Sequence, residues 1–152
     1  MRAGPPAAPA PRRALLLVFW LPVLAYTAFI FTLSSTQTPG PTFFSVQDKS
    51  LHFIVYGLYG LLLARAFRAT MRNRPGLLWA AGTVGAGSLI GVIDELYQRT
   101  VPGRTPDVRD WAADTLGLLA ASLLVRLIGG RPRGRRPGAP EESPRTAPGA
   151  AP

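Results

Sequence analysis

The ionisable residues of this 152-residue chain that could do chemistry gather in three short segments. Asp48-Lys49-Ser50-Leu51-His52-Phe53 comes first and Asp94-Glu95-Leu96-Tyr97-Gln98-Arg99 second. Arg104, Asp107, Asp110 and Asp114 make up the third. On a helix, Asp48 and His52 stand one turn apart, so the carboxylate can orient or charge the imidazole. Asp94 and Gln98 share a face in the same way, as do Asp110 and Asp114. Paired carboxylates with a histidine can do general acid–base work when burial raises one carboxyl pKa. Lys49 and Arg104, helped by Gln98 and His52, could equally hold a phosphate or carboxylate group.

Several of these residues also have a plainer role. Asp48 suits the first turn of a helix, where an acid meets the positive end of the dipole. His52 suits a packed, hydrogen-bonded interior. Glu95 and Arg99, four apart, could form an ion pair. Val101-Pro102-Gly103-Arg104 reads as a turn, and Thr105-Pro106-Asp107 as N-cap, N1 and first-turn acid of the helix that follows. Asp94 and Gln98 are harder to dismiss, because an acid at a helix C-terminus faces the negative end of the dipole. Asp114 is hardest of all. It stands among apolar residues, so it is expected to face a bundle interior and pair with Arg104, Lys49, His52 or a bound ligand.

With no cysteine, the chain has no disulfide, thiolate zinc site or thiol nucleophile. His52 is its single histidine, which excludes a two-His zinc site within one chain. No metal and no cofactor are expected, although a Mg²⁺ or Mn²⁺ site of carboxylate oxygens and His52 stays open as a lesser alternative. No nucleophile elbow, Walker loop or H-E-x-x-H is present.

The elements that must position these residues follow from where charge is missing. Residues 14–33 and 77–93 carry no charge, 51–64 is interrupted only by His52, and 111–125 carries only Asp114. None has the polar stripe of a soluble amphipathic helix. The reading is an all-α integral membrane bundle of four transmembrane helices over residues 14–128. The first block is longer than the apolar part of a usual signal peptide, and no A-x-A-like cleavage site follows it. The tails, 1–13 and 129–152, are rich in Pro, Gly, Ala and Arg, and are expected to be disordered. Pro22 is expected to kink the first span. Gly87 and Gly91, and Ala113, Gly117 and Ala121, carry the small-residue spacing of tight helix packing.

Charge also sets orientation. The tails, the 65–74 loop and Arg126 at the end of the fourth span account for thirteen of the 17 basic residues, while Lys49, Arg99, Arg104 and Arg109 lie on the other side. Both termini are therefore expected in the cytoplasm. The formal net charge of +9 is explained by anionic headgroups, and nucleic acid is not expected as a partner. Six of the eight acids fall at the outer ends. His52 is only ~20 Å along its helix from Arg65, and Asp114 ~18 Å from Arg126. Set against a hydrocarbon layer of about 30 Å, this spacing sinks the acids and the histidine below the outer surface, in a shared polar recess.

Ser34-Ser35, Asp48-Lys49 with His52-Phe53, Asp94-Glu95 with Gln98, and then Pro102-Gly103-Arg104, Asp107, Asp110 and Gly117 together resemble the VanZ-like family in order and spacing. The resemblance covers residues 14–128. It implies a small multi-pass membrane protein of the cell envelope; the founding member of the family is associated with resistance to the glycopeptide teicoplanin. Asp94-Glu95-x-x-x-Arg99 also resembles the E-E-x-x-x-R of membrane CAAX-type proteases, but that family uses additional histidines. Three functions stay open. The recess could bind an anionic or polar lipid-linked or cell-wall ligand through Asp48, Lys49, His52, Asp94, Glu95, Gln98, Arg104, Asp110 and Asp114. It could be an intramembrane acid–base enzyme, the less favoured reading. It could also be a knot of ion pairs tying helix ends together. The lipid bilayer is the expected partner and the cytoplasmic membrane the expected location; the sequence does not indicate an oligomeric state.

Overall fold

The structure, a computed structural model, describes residues 12–36 and 45–129, with side chains from 13 to 36 and 49 to 129. The tails lie outside the described residues, except that Arg12 and Arg13 already belong to the first helix and Gly129 follows the last. The side chain of Asp48 also lies outside them.

Four helices are long and apolar enough to cross a membrane. Helix α1 (12–34) joins an α-helical turn, Arg12–Leu15, a π-helical segment, Leu16–Trp20, and an α-helix, Leu21–Ser34. Helix α2 is Ser45–Thr70, α3 is Gly76–Gln98 and α4 is Val108–Ile128. Their spanning portions of 21–23 residues reach about 32–35 Å, enough for a hydrocarbon layer of about 30 Å. No strand occurs among the described residues. Leu24, Leu58, Leu89 and Leu123 are all exposed, as expected of side chains that meet lipid.

The helices run beyond the apolar blocks. In a bilayer each backbone N–H and C=O must be satisfied within its own segment, so the chain stays helical through its polar ends. Lys49 and His52 therefore sit on α2, Asp94, Glu95 and Gln98 on α3, and Asp110 and Asp114 on α4. Of the nine residues expected to line the recess, only Arg104 belongs to an irregular connection.

Small residues set the spacing. A Cβ added to Gly117 of α4 would press on the Phe53 carbonyl oxygen and stand 2.8 Å from the backbone N of Gly57, both on α2. Further along, Gly60 faces Ala121, whose Cβ would lie 2.8 Å from a Cβ at Gly60. On α3, Gly87 receives Leu118, and Gly91 receives Asp114 and Trp111. The α2–α4 pair is thus locked at backbone contact, with α3 packed against it.

The core joins Val23 and Ile30 of α1 to Tyr56, Tyr59, Leu63 and Ala66 of α2 and Leu118 of α4. Thr27 Oγ1 and Tyr59 OH are 2.8 Å apart, and Tyr26 OH donates to the Val55 carbonyl at 3.1 Å. Pro22 has no N–H, and its ring crowds the carbonyl four residues back. The chain widens there, with Leu21 N–H donating to the Leu16 carbonyl five residues earlier. The irregularity expected at Pro22 takes the form of a π-helical segment just before it.

Candidate functional site

Because the helices alternate in direction, the C-termini of α1 and α3 and the N-termini of α2 and α4 meet at one end of the bundle. Lys49 Nζ donates to Asp107 Oδ2 and Asp110 Oδ1, each at 3.2 Å, joining α2 to the start of α4. Deeper, His52 Nδ1 lies 2.9 Å from Asp114 Oδ1. Asp94 Oδ2 accepts from Gln98 Nε2 at 3.3 Å, and the Ser34 side chain also reaches this carboxylate. Glu95 Oε2 accepts the Asp107 backbone N–H at 3.0 Å. Arg104 turns to α1, where Nη2 makes long bonds to the carbonyls of Leu33 (3.5 Å) and Thr36 (3.4 Å). It thereby caps the α1 C-terminus, whose last carbonyls have no helical partner.

Among the three partners proposed for Asp114, the structure selects His52. Lys49 goes to Asp107 and Asp110, while Arg104 goes to backbone carbonyls. Glu95 is met by a backbone N–H rather than by Arg99, which is exposed. The start of α4 differs from expectation. Asp107 is itself the N-cap, with extended backbone (φ −126°, ψ 120°) and a carboxylate that accepts Arg109 N–H at 2.9 Å. The helix therefore starts at Val108, since Asp is the stronger cap. The Arg109 N–H, aided by Lys49, keeps the Asp107 carboxyl below the ordinary aspartate pKa.

Burial distinguishes the deeper acids. Asp114 is 0%, Asp94 1% and Glu95 8% exposed. One oxygen of each, Asp114 Oδ2, Asp94 Oδ1 and Glu95 Oε1, has no hydrogen-bond partner among the described residues. Among the described residues, the five carboxylates Asp94, Glu95, Asp107, Asp110 and Asp114 outnumber the permanent cations beside them, Lys49, Arg104 and Arg109. One ligand atom from each of His52, Glu95 and Asp114 falls within 4.8 Å of the others, a spacing that could hold a metal ion.

Tyr56 was missed by sequence reasoning. It is 1% exposed, its hydroxyl has no partner among the described residues, and it lies in the field of Asp94, Asp114 and Glu95. Its spacing was the available signal: Lys49, His52 and Tyr56 fall on one stripe of α2.

Comparison with known proteins found no match among curated proteins or solved structures. The sequence model of one family, described as VanZ/LLP1, matches residues 13–129 and so covers all four spans and the whole polar cluster. This multi-pass helical membrane protein belongs to the VanZ/LLP1 family.

Proposed function

We propose that the polar end of the bundle is a recess, open to the outer face of the cytoplasmic membrane, that binds the polar headgroup of a lipid-linked or cell-wall compound. One observation carries this reading: Asp94, Glu95 and Asp114 are buried in a membrane bundle, each with an oxygen lacking a donor among the described residues. Such groups are costly in an apolar surround, and packing alone gives no reason to keep three of them. Lys49 is occupied by two carboxylates, so an anionic ligand would need added positive charge, whereas hydroxyls or amines could bind directly. Family membership supports a role in the response to teicoplanin-type glycopeptides.

The test compares cells carrying wild-type protein, no protein, or Glu95→Gln protein inserted at wild-type level. Lipid-linked intermediates, bound glycopeptide and teicoplanin susceptibility are measured. The variant is expected to behave like the deletion. Wild-type behaviour of both Glu95→Gln and Asp94→Asn would refute the recess and leave a structural knot.

A second reading is favoured by the 2.9 Å His52–Asp114 pair beside Glu95. An imidazole oriented by one carboxylate next to another is the geometry of an acid–base centre. Under this reading a lipid-linked intermediate accumulates in the deletion strain. Under the first, drug binding changes while the intermediates do not.

A further inference from the structure

We propose that His52, Glu95 and Asp114 bind one divalent transition-metal cation within the bundle. The site draws one residue from each of three helices, α2, α3 and α4, and a ligand atom of each lies within 4.8 Å of the others. Two ligands on opposite sides of a cation at about 2.1–2.4 Å are roughly 4.2–4.8 Å apart, so the spacing of the trio is compatible with one shared cation.

The unmet acceptors give the second observation. Asp114 Oδ2 and Glu95 Oε1 have no partner among the described residues, and their side chains are almost wholly buried. Most nearby donors are committed elsewhere, the unpartnered Tyr56 hydroxyl being the exception among the described residues. Lys49 is held by Asp107 and Asp110, Gln98 by Asp94, and the Asp107 N–H by the other oxygen of Glu95. A cation satisfies both oxygens at once and offsets the excess of carboxylates.

The surroundings suit a metal. Glu95 is oriented by the Asp107 N–H at 3.0 Å, the kind of outer support that fixes a ligating carboxylate. Gly91 leaves room beside the site, since a Cβ there would stand 3.2 Å from Asp114 Oδ2. Two carboxylates and one imidazole match Mn²⁺ better than a thiolate-seeking ion, and three ligands leave positions open. Those positions could take a phosphate oxygen, but the cation site stands whether or not the recess binds a headgroup.

The test uses the full chain, purified in non-ionic detergent, stripped with EDTA and titrated with Mn²⁺ while free Mn²⁺ is read by electron paramagnetic resonance. Saturation at one Mn²⁺ per chain is expected. Glu95→Gln and Asp114→Asn should weaken binding about tenfold or more, and Asp107→Asn by less than about threefold, with helicity unchanged by circular dichroism. A readout without variants is the imidazole resonance of the single histidine, which bound Mn²⁺ should broaden beyond detection at one equivalent. The proposal is overturned if wild-type protein shows no saturable binding or an unbroadened His52 resonance. Equal weakening by Asp107→Asn and Glu95→Gln would also overturn it, because binding would then be diffuse attraction to acids.

Discussion

Replacing Gly117 by alanine should break the polar cluster without touching any of its residues. The new Cβ would meet two backbone atoms of α2, the Phe53 carbonyl oxygen and, at 2.8 Å, the Gly57 nitrogen. Backbone cannot rotate aside as a side chain can, so relief requires α2 and α4 to part. Ordinary contact begins near 3.4 Å, so the separation is at least about 0.6 Å, and overpacking of this kind costs roughly 1–3 kcal/mol. His52 adjoins Phe53, and Asp114 lies one turn before Gly117. The same displacement stretches their 2.9 Å contact to about 3.5 Å, the edge of hydrogen bonding. Gly85→Ala is the control: its Cβ would meet nothing within 4 Å, and alanine should leave stability unchanged or raise it by about 0.5–1 kcal/mol. Unfolding in detergent micelles measures stability, and the imidazole resonance of the single histidine reports the pair. If Gly117→Ala matched Gly85→Ala in stability and left the His52 resonance unshifted, the backbone-contact account of the site would be wrong.

Three further outcomes are expected. Tyr56→Phe removes a buried hydroxyl without a partner among the described residues, so unfolding should show unchanged or higher stability; if the hydroxyl faces a ligand, teicoplanin susceptibility should still move toward that of the deletion. The Asp107 cap is fully effective above the ordinary aspartate pKa and is lost only as pH falls through its lower folded value; a carboxyl ¹³C titration should place its midpoint below that of an unstructured aspartate, and Asp107→Ala should remove this acid-dependent loss. Reporter fusions at residue 40 should be active outside the cytoplasm and fusions at 140 inside it, and the reverse pattern would overturn the proposed orientation.

The four spans were legible because a bilayer helix advertises itself by missing charge, and the blocks 14–33, 51–64, 77–93 and 111–125 each lie within one observed helix. Their true ends were less legible. Hydropathy marks where the polar residues begin, whereas backbone satisfaction decides where the helix stops, so α3 continues through Asp94 and Glu95 to Gln98. Partner choice was not legible at all. Asp114 had three cations within plausible reach. Selecting His52 depends on the α2–α4 register, set where Gly117 meets Gly57 and Gly60 meets Ala121, and composition cannot supply that pairing. The contact of Arg104 with the carbonyls at the α1 C-terminus was not legible either, because it depends on where that terminus lies. Tyr56 escaped notice because a tyrosine in an apolar run resembles ordinary core.

The wide segment Leu16–Trp20 amounts to one residue more than a regular helix would use over the same rise. Loss of a residue elsewhere in α1 turns everything on one side of the gap by about 100° and moves Val23 and Ile30 relative to the helix start. Loss of a residue within 16–20 closes the wide turn and leaves Leu21 onward in its present register. The closed turn then sets the Pro22 ring against the carbonyl four residues back, at a cost of about 3 kcal/mol. Chain length and proline are therefore coupled: a one-residue deletion here becomes tolerable in company with a change at Pro22, so related chains lacking the extra residue should also lack the proline.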